Sequence, residues 1–587
     1  MLRRIPTLLA LVLALEANAS ESCRIVLEGL DRELKENVMA HLGAAREGES
    51  AASLARRLQI AAADGLRALG YYEPDIRLAV NNGTSAEAEV DAKDKTACTI
   101  TAHIKAGRRV TLLAPDIVIS GEAADDPDFK ALAASAKPAG TPLNHADYEE
   151  FKQRIEALAM QKGYFDGAFS LTALEVLVSK AQARWRLHYD SKARFRFGPV
   201  QFKGSQIEEK YLSGIIPFET GAYYDYPVYA ELSNNLSQTG WFASIALEPD
   251  FEAARKDAEL HLPVTARVTP RKQNIVETGL GFATDVGPHG RLKWTRPWVN
   301  AKGHSLAAQA DVSAKEQEVD LSYKIPQSAD PLKSYWLLQS GYKYTDLNDT
   351  QSSQLALGGS HFRLLESGWT RQISVNWLTD NFSQADVSTT SMVIYPGIAF
   401  SRTRSRGGVM PSWGDSQRYS VQIANKAWGS DVDFIILEAS HTWVRSLGLQ
   451  NQHRFVFRGG AGWIDADNFE AVPPDLRFFA GGDTSVRGYD YKSISPRNAK
   501  GELTGGSKLL TGSVEYQYNV SGNWWGAVFF DVGEAVNDFS TSNFKKGAGF
   551  GVRWKSPVGP VKIDLARAVS DGSEHSWKVY IGFGGAL

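Results

Sequence analysis

The chain has 587 residues and a formal net charge of −3, too long for one ordinary domain and too evenly balanced for a general nucleic-acid binder. Its mean hydropathy is −0.27, and beyond the N-terminus no run of about 18 apolar residues occurs, so no ordinary transmembrane helix is expected. Strands that cross a membrane remain open.

The opening residues, MLRRIPTLLALVLALEANA, place Arg3 and Arg4 before an apolar stretch from Leu8 to Leu15, followed by Ala17-Asn18-Ala19 as an A-x-A cleavage site. This pattern predicts a secretory signal peptide over residues 1–19. Two cysteines occur, Cys23 and Cys98, and an even pair in an exported chain favours a disulfide in an oxidising compartment. Lipidation of Cys23 is the alternative, although Ser20-Glu21-Ser22 before it is a poor small, uncharged lipobox.

One plan then recurs three times: a short β-branched strand ending in glycine, helical sequence, a glycine-aromatic-aromatic corner and two strand-like runs. The strands are Ile25-Val26-Leu27-Glu28-Gly29, Ile117-Val118-Ile119-Ser120-Gly121 and Val200-Gln201-Phe202-Lys203-Gly204. The corners are Gly70-Tyr71-Tyr72, Gly163-Tyr164-Phe165 and Gly240-Trp241-Phe242, at intervals of 41, 42 and 36 residues from those strand-ending glycines. Such spacing implies one β-α-α-β-β unit used three times. In the first unit Leu54, Leu58 and Leu66 fall on the second helix, which Gly70 ends. Cys23 opens the first strand and Cys98 sits in a later one, so a bridge would pin two strands of a small sheet.

From about Gln273 onward helical periodicity gives way to alternation over runs of roughly ten residues, with Gly, Asn and Asp between them. Val276, Thr278, Leu280 and Phe282 alternate with Glu277, Gly279 and Gly281, and Phe550, Val552 and Trp554 with Gly551, Arg553 and Lys555. One apolar face and one polar or tiny face predict a transmembrane β-barrel. Trp298, Trp336, Trp413, Trp463, Trp524 and Trp525 sit near strand ends, as interfacial girdles require. At about 20 residues per strand plus turn, residues 271–587 allow about 16 antiparallel strands.

No G-x-S-x-G, H-E-x-x-H, C-x-x-C or Walker sequence occurs. Asp571, Ser573 and His575 have the residue types of a hydrolase triad but crowd one polar turn, which does not place nucleophile, base and orienter in line. The reading is a protein without enzyme activity, cofactor or metal site.

The C-terminal third carries an ordered set: R-F-F-A-G-G-D-T-S-V-R-G-Y (Arg477 to Tyr489), G-S-V-E-Y (Gly512 to Tyr516), F-F-D-V-G (Phe529 to Gly533) and G-A-G-F-G-V-R-W-K-S-P-V-G-P-V (Gly547 to Val561). In order and spacing it resembles the bacterial outer-membrane assembly superfamily typified by BamA, and the three repeats match that family's periplasmic POTRA modules. Within it, three modules, R-W-K-S-P-V-G-P-V-K-I-D-L-A and the terminal Y-I-G-F-G-G-A-L are similar to the TamA subgroup. The resemblance implies POTRA modules at 20–106, 107–190 and 191–268 and a barrel at 269–587. It further implies that the loop bearing Val486, Arg487, Gly488 and Tyr489 folds into the lumen, where Arg487 pairs with Glu515, Asp531 or both. A guanidinium taken from water needs such carboxylates. Strand parity sets Glu515 opposite Val514, Tyr516 and Tyr518, whereas Asp531 shares parity with Ala527 and Phe529 and is not assigned to the lumen by alternation alone.

The family's working part is the seam between the first and last barrel strands. Here Gly279, Leu280 and Gly281 would meet Gly582, Gly584 and Gly585, and glycine weakens strands. A weakly zipped seam could open laterally and template an incoming strand. The resemblance implies an outer-membrane factor assisting insertion or secretion of β-rich clients such as autotransporters, with the modules docking a TamB-like partner anchored in the inner membrane, and leaves room for lipid transport. A general BamA-type insertase, for which five modules are expected, and a two-partner secretion pore, with two, are the alternatives.

Overall fold

The computed structural model describes residues 23–44, 49–82, 98–283, 287–448, 450–541, 543–557, 559–570 and 576–583. The expected signal peptide, Gly584 and Gly585 of the seam, and Asp571, Ser573 and His575 lie outside the described residues. The chain divides into two compact units, one of residues 1–199, 218–229 and 250–263 and one of residues 200–217, 230–249 and 264–587.

In the first repeat, strand Arg24–Glu28 leads into helices Arg32–Leu42 and Ala51–Ala68, then strands Asp75–Asn82 and Cys98–Lys105. The last strand is central, parallel to the first and antiparallel to the second. Helix starts are set by Asp31, whose carboxylate accepts from Leu34 N at 2.9 Å, and by Ser50, which accepts from Ser53 N at 3.3 Å. The second helix buries Leu54, Leu58, Ala61, Ala62 and Leu66 against Ile100, Ala102 and Ile104 of the central strand, a stripe at helical spacing meeting one at strand spacing. It stops one residue earlier than the sequence suggests: Leu69 is the cap and Gly70 follows it at φ 91°. Gly70 N donates to Arg67 O and Tyr71 N to Leu66 O, the paired closure that a left-handed residue after the cap permits.

The same order, last strand in the middle, returns twice. In the second repeat the central strand is Gln182–Asp190, flanked by Asp116–Ser120 on one side and Ala168–Leu177 on the other. In the third it is His261–Pro270, between Arg196–Lys203 and Phe242–Pro249. The third adds a short helix, Phe251–Lys256, which the repeat pattern does not announce. The strand-ending glycines Gly29, Gly121 and Gly204 all have positive φ, and a Cβ would lie 2.3 Å from Ile104 O at Gly29 and 2.4 Å from Val268 O at Gly204. Only glycine fits this repeated position. Cys23 and Cys98 are joined, with their Cα atoms 4.6 Å apart.

The second unit holds a sixteen-stranded sheet in which every strand pairs with its neighbours in sequence, from Ile275–Ala283 to Lys578–Phe583. Alternate side chains on its outer face are exposed and apolar, among them Leu355, Leu357, Ile373, Val375, Val514, Val528, Phe530, Phe550 and Val552. Trp336, Trp463 and Trp524 share that face, and Trp524 stacks on Trp554 at 5.5 Å. The inner face is not uniformly polar or small. Val393, Phe434, Ile436 and Ile464 form an apolar cluster with Val472 and Phe478, because the connection between strands His453–Ala466 and Lys508–Ser521 covers them.

The disulfide spans 75 residues, long enough for its removal to cost about 2–4 kcal/mol through the freed unfolded chain. Cys98→Ser is therefore expected to lower the urea midpoint of the first module and expose it to protease. Wild-type resistance in the variant would show that the bond constrains nothing.

Candidate functional site in the barrel lumen

The connection 467–507 turns back on itself through backbone bridges Phe478 to Gly506 and Ala480 to Ile494. Its tip is buried, with Val486 at 0%, Arg487 at 1% and Tyr489 at 5% exposure. Around the tip stand inward-facing residues of the last strands: Lys508–Ser521, Trp524–Val536, Lys545–Ser556, Gly559–Ala568 and Lys578–Phe583. Register sets Ser513 opposite Asp531, Glu515 opposite Phe529, and Asp564 opposite Gly551 and Tyr580.

Arg487 engages three carboxylates. Its Nε donates to Asp531 Oδ2 at 2.7 Å and its Nη2 to Asp531 Oδ1 at 2.9 Å, a bidentate fork. Nη1 donates to Glu515 Oε2 at 2.8 Å and Asp564 Oδ2 at 2.9 Å, and Nη2 also to Ser513 Oγ at 3.4 Å. All five side-chain donors thus have acceptors. The backbone N of Arg487 adds a bond to Asp531 Oδ2 at 3.0 Å, and the guanidinium lies 3.3 Å from the Phe529 ring centroid. A lysine could supply the charge but neither the fork nor the flat face for the ring.

A second buried arginine offsets the excess of carboxylates. Arg553 donates to Glu515 Oε1 from Nε at 3.0 Å and from Nη2 at 2.8 Å, and binds Asp564 through Nη1 and Nη2. Ser513 Oγ donates to Asp531 Oδ1 at 2.6 Å, and Gln517 Nε2 to Glu515 Oε1 at 2.6 Å. Two guanidiniums and three carboxylates therefore form one hydrogen-bonded network, the arrangement that makes buried charge tolerable.

Backbone room for the tip comes from a row of lumen-facing glycines. A Cβ on Gly547 would lie 1.7 Å from Arg487 O, one on Gly549 2.6 Å from Phe529 Cζ and one on Gly551 2.0 Å from Asp564 Oδ1. Gly488 has φ +99°, and a Cβ there would come 2.6 Å from Arg567 C. Its N donates to Tyr580 OH at 3.0 Å, and that hydroxyl donates to Tyr489 O at 2.7 Å. The tip is thereby fastened to the last strand. Beside it lies a cavity of about 430 Å³ bordered by Arg454, Arg458, Lys562, Asp483 and Gly582.

Both carboxylates suggested from the sequence, Glu515 and Asp531, contact Arg487. Asp531 shares the inner face with Ala527 and Phe529 because the ring lies against the guanidinium, so an aromatic on the lumenal parity is a partner and not a contradiction. Asp564, Arg553, Ser513 and Tyr580 were missed. Asp564 had a readable signal: it is a lone carboxylate between Ile563 and Leu565, and Ile563 is exposed on the outer face.

At the seam, the first strand pairs fully with the second: Gly279 stands opposite Arg291, Leu280 opposite Gly290 and Gly281 opposite His289. Gly582 stands opposite Lys562. The first and last strands approach one another, but among the described residues no ladder joins them. Leu280 is 95% exposed.

Removing Arg487 strands three carboxylates beside one guanidinium, a loss on the order of 3–5 kcal/mol. Arg487→Ala should lower the temperature at which the folded barrel loses its compact gel mobility and open residues 477–507 to protease, with Arg487→Lys falling between. Unchanged mobility and protection in Arg487→Ala would contradict the latch.

Comparison with known proteins agrees with this architecture. The Omp85 superfamily domain matches residues 280–586, and the domain described as POTRA domain TamA domain 1 matches residues 24–92. The outer membrane protein assembly factor BamA of Nitratidesulfovibrio vulgaris is 23% identical over 377 residues, 60% of this chain and 46% of that protein. The chain thus spans about half the length of this relative. The chloroplastic outer envelope protein 80 of Arabidopsis thaliana is 30% identical over 122 residues, 19% of this chain and 15% of that one. The crystal structure of BamA from Haemophilus ducreyi lacking POTRA domains 1–3 superposes with a TM-score of 0.65 at 15% identity, over 81% of this chain and 99% of that one. The sixteen-stranded barrel is an outer-membrane barrel with its N-terminal modules in the periplasm. With a family domain spanning more than half of its length, the chain belongs to the Omp85 superfamily.

Proposed function

We propose that this protein is a non-enzymatic outer-membrane factor that assists insertion or secretion of β-rich clients, autotransporters among them, through the seam between its first and last strands. The observation that carries the reading is the absence of a ladder across that seam among the described residues. Two neighbouring strands that share no ladder over the described residues offer a weakly joined edge to which an extended client segment adds by hydrogen bonding. Among the described residues the last strand pairs with Val561 to Ala566 on its other side, and it is tied to the loop by Tyr580 and by the ion pair of Lys578 with Asp490 at 2.6 Å. These ties would keep the strand end fixed while its seam edge exchanges partners. Support for an assembly role also comes from the printed description of the Nitratidesulfovibrio relative as an assembly factor.

The periplasmic modules would gather clients and dock a TamB-like, inner-membrane-anchored partner, a reading favoured by the TamA-type match at residues 24–92. Deletion of residues 20–106 would then abolish recovery of such a partner with the protein.

The seam is tested with Leu280→Cys/Gly582→Cys joined by a short bifunctional linker. Linking is expected to block client insertion into vesicles, with activity restored on cleaving the linker. Full activity in the linked barrel would refute lateral passage.

A further inference from the structure

Six arginines occupy one end of the barrel's membrane-facing surface on the sixth to tenth strands: Arg363, Arg371, Arg402, Arg404, Arg406 and Arg445. These strands are Thr350–Leu364, Thr370–Gln384, Val387–Arg406, Trp413–Ala424 and Phe434–Leu447. Alternation fixes their direction. Arg363 continues the row of exposed Leu355 and Leu357, Arg371 that of Ile373 and Val375, and Arg402 that of Ile398. Arg445 likewise continues the row of Leu437 and Trp443.

All six lie at the strand ends nearest the periplasm, on the side from which the modules lead into the first strand. At the far ends of the same rows stand Gln351, Ser353, Asn381, Ser383, Ser388 and Thr390, all uncharged. The cations are therefore confined to one interface.

Protein groups meet only part of this charge. Asp415 takes a bidentate bond from Arg404, with Oδ2 at 2.9 Å from Nη2, and Arg445 Nη2 stands 3.9 Å from the same carboxylate. The other carboxylate of this rim is Glu366, exposed in the turn after the sixth strand. Among the described residues Arg363, Arg371, Arg402 and Arg406 form no ion pair within the protein. Arg363 and Arg371 stand directly opposite each other in the ladder, a like-charge pair that costs stability unless an anion sits between them. The Nε atoms of Arg371 and Arg402 are buried without a hydrogen-bond partner, which also calls for an acceptor.

Aromatic rings give the patch the form of an interfacial platform. Arg402 lies over Trp369 at 4.7 Å, and Arg404, Arg406 and Arg445 lie 5.5, 5.3 and 4.9 Å from the Trp413 centroid. Indole rings settle at headgroup depth in a membrane, and the planar guanidinium matches phosphate oxygens two at a time.

We propose that this face is a binding site for the phosphate headgroups of anionic phospholipids in the periplasm-facing leaflet. The first phosphate would lie between Arg363 and Arg371, within reach of Arg402. Counted round the sheet, the eighth and ninth strands are farthest from the two edge strands, so bound lipid would hold the back of the barrel at fixed depth and leave the seam side free to move. The inference needs only the membrane setting of the barrel and stands whether or not clients pass through the seam.

The test uses the full chain in detergent, titrated separately with short-chain phosphatidylglycerol, short-chain phosphatidylcholine and inorganic phosphate while the thermal midpoint is followed. Phosphatidylglycerol is expected to raise the midpoint of the wild type, and Arg363→Gln/Arg371→Gln/Arg402→Gln to weaken its half-saturation at least about tenfold. Compact gel mobility checks that the variant is folded. If it is not, the singles Arg363→Gln and Arg371→Gln replace it, each expected to weaken half-saturation about threefold. A phosphatidylcholine response equal to that of phosphatidylglycerol overturns the proposal. So does an equal response to inorganic phosphate, which would make the site one for free anions, or half-saturation unchanged in the folded variants.

Discussion

A guanidinium shut away from water inside a barrel has to be met by carboxylates already in position, and Arg487 imposes that condition on everything around it. Asp531 supplies the fork, Glu515 and Asp564 the remaining charge, and Arg553 stops those carboxylates from repelling one another. These partners come from four consecutive strands, the twelfth to the fifteenth, and Tyr580 of the sixteenth joins through the backbone of the tip. One loop thus fixes the register and spacing of the last five strands. The glycine row at Gly547, Gly549 and Gly551 follows from the same demand, since any side chain there would occupy space already taken by the tip, by Phe529 or by Asp564.

The consequence is an uneven barrel. Its last strands are held from the inside, whereas its first strand pairs with the second, and among the described residues no ladder joins first to last. In a closed sheet each strand is secured on two sides, so such a seam is where the least work is needed to admit another strand. The internal latch would give such an opening a fixed jamb, because the last strand is tied to the loop tip through Tyr580. The arginine-rich outer face lies across the barrel from the seam and belongs to the same asymmetry.

Much of this was legible in the chain. The three repeats could be read because glycine recurs where the backbone takes a positive φ in close contact with a neighbouring strand or turn, against a carbonyl at Gly29 and Gly204 and against Ser191 Oγ at Gly121. The barrel could be read because lipid forces a strict period of two on one face. The latch was legible in part: Glu515 stands out as the single charge in a row of Val514, Tyr516 and Tyr518, but Asp531 shares its face with Phe529, and alternation treats an aromatic as outward. Only the contact between ring and guanidinium explains why that ring faces inward. Arg553 and Asp564 were harder still, because a period of two says which way a side chain points and nothing about which loop will arrive there. The apolar patch beneath the long connection was hidden for the same reason, being set by tertiary covering and not by local pattern, whereas the helix Phe251–Lys256 carries a local signal in its Asp250 cap and falls outside the repeat plan.

Arg487 and Asp531 act as one unit, and a double-mutant cycle measures their coupling. Arg487→Lys, Asp531→Asn and the double variant are each unfolded by urea in lipid vesicles under identical conditions. A coupling energy of about 2 kcal/mol or more is expected, with the double variant far less damaged than the sum of the singles. Effects additive to within about 0.5 kcal/mol would contradict it.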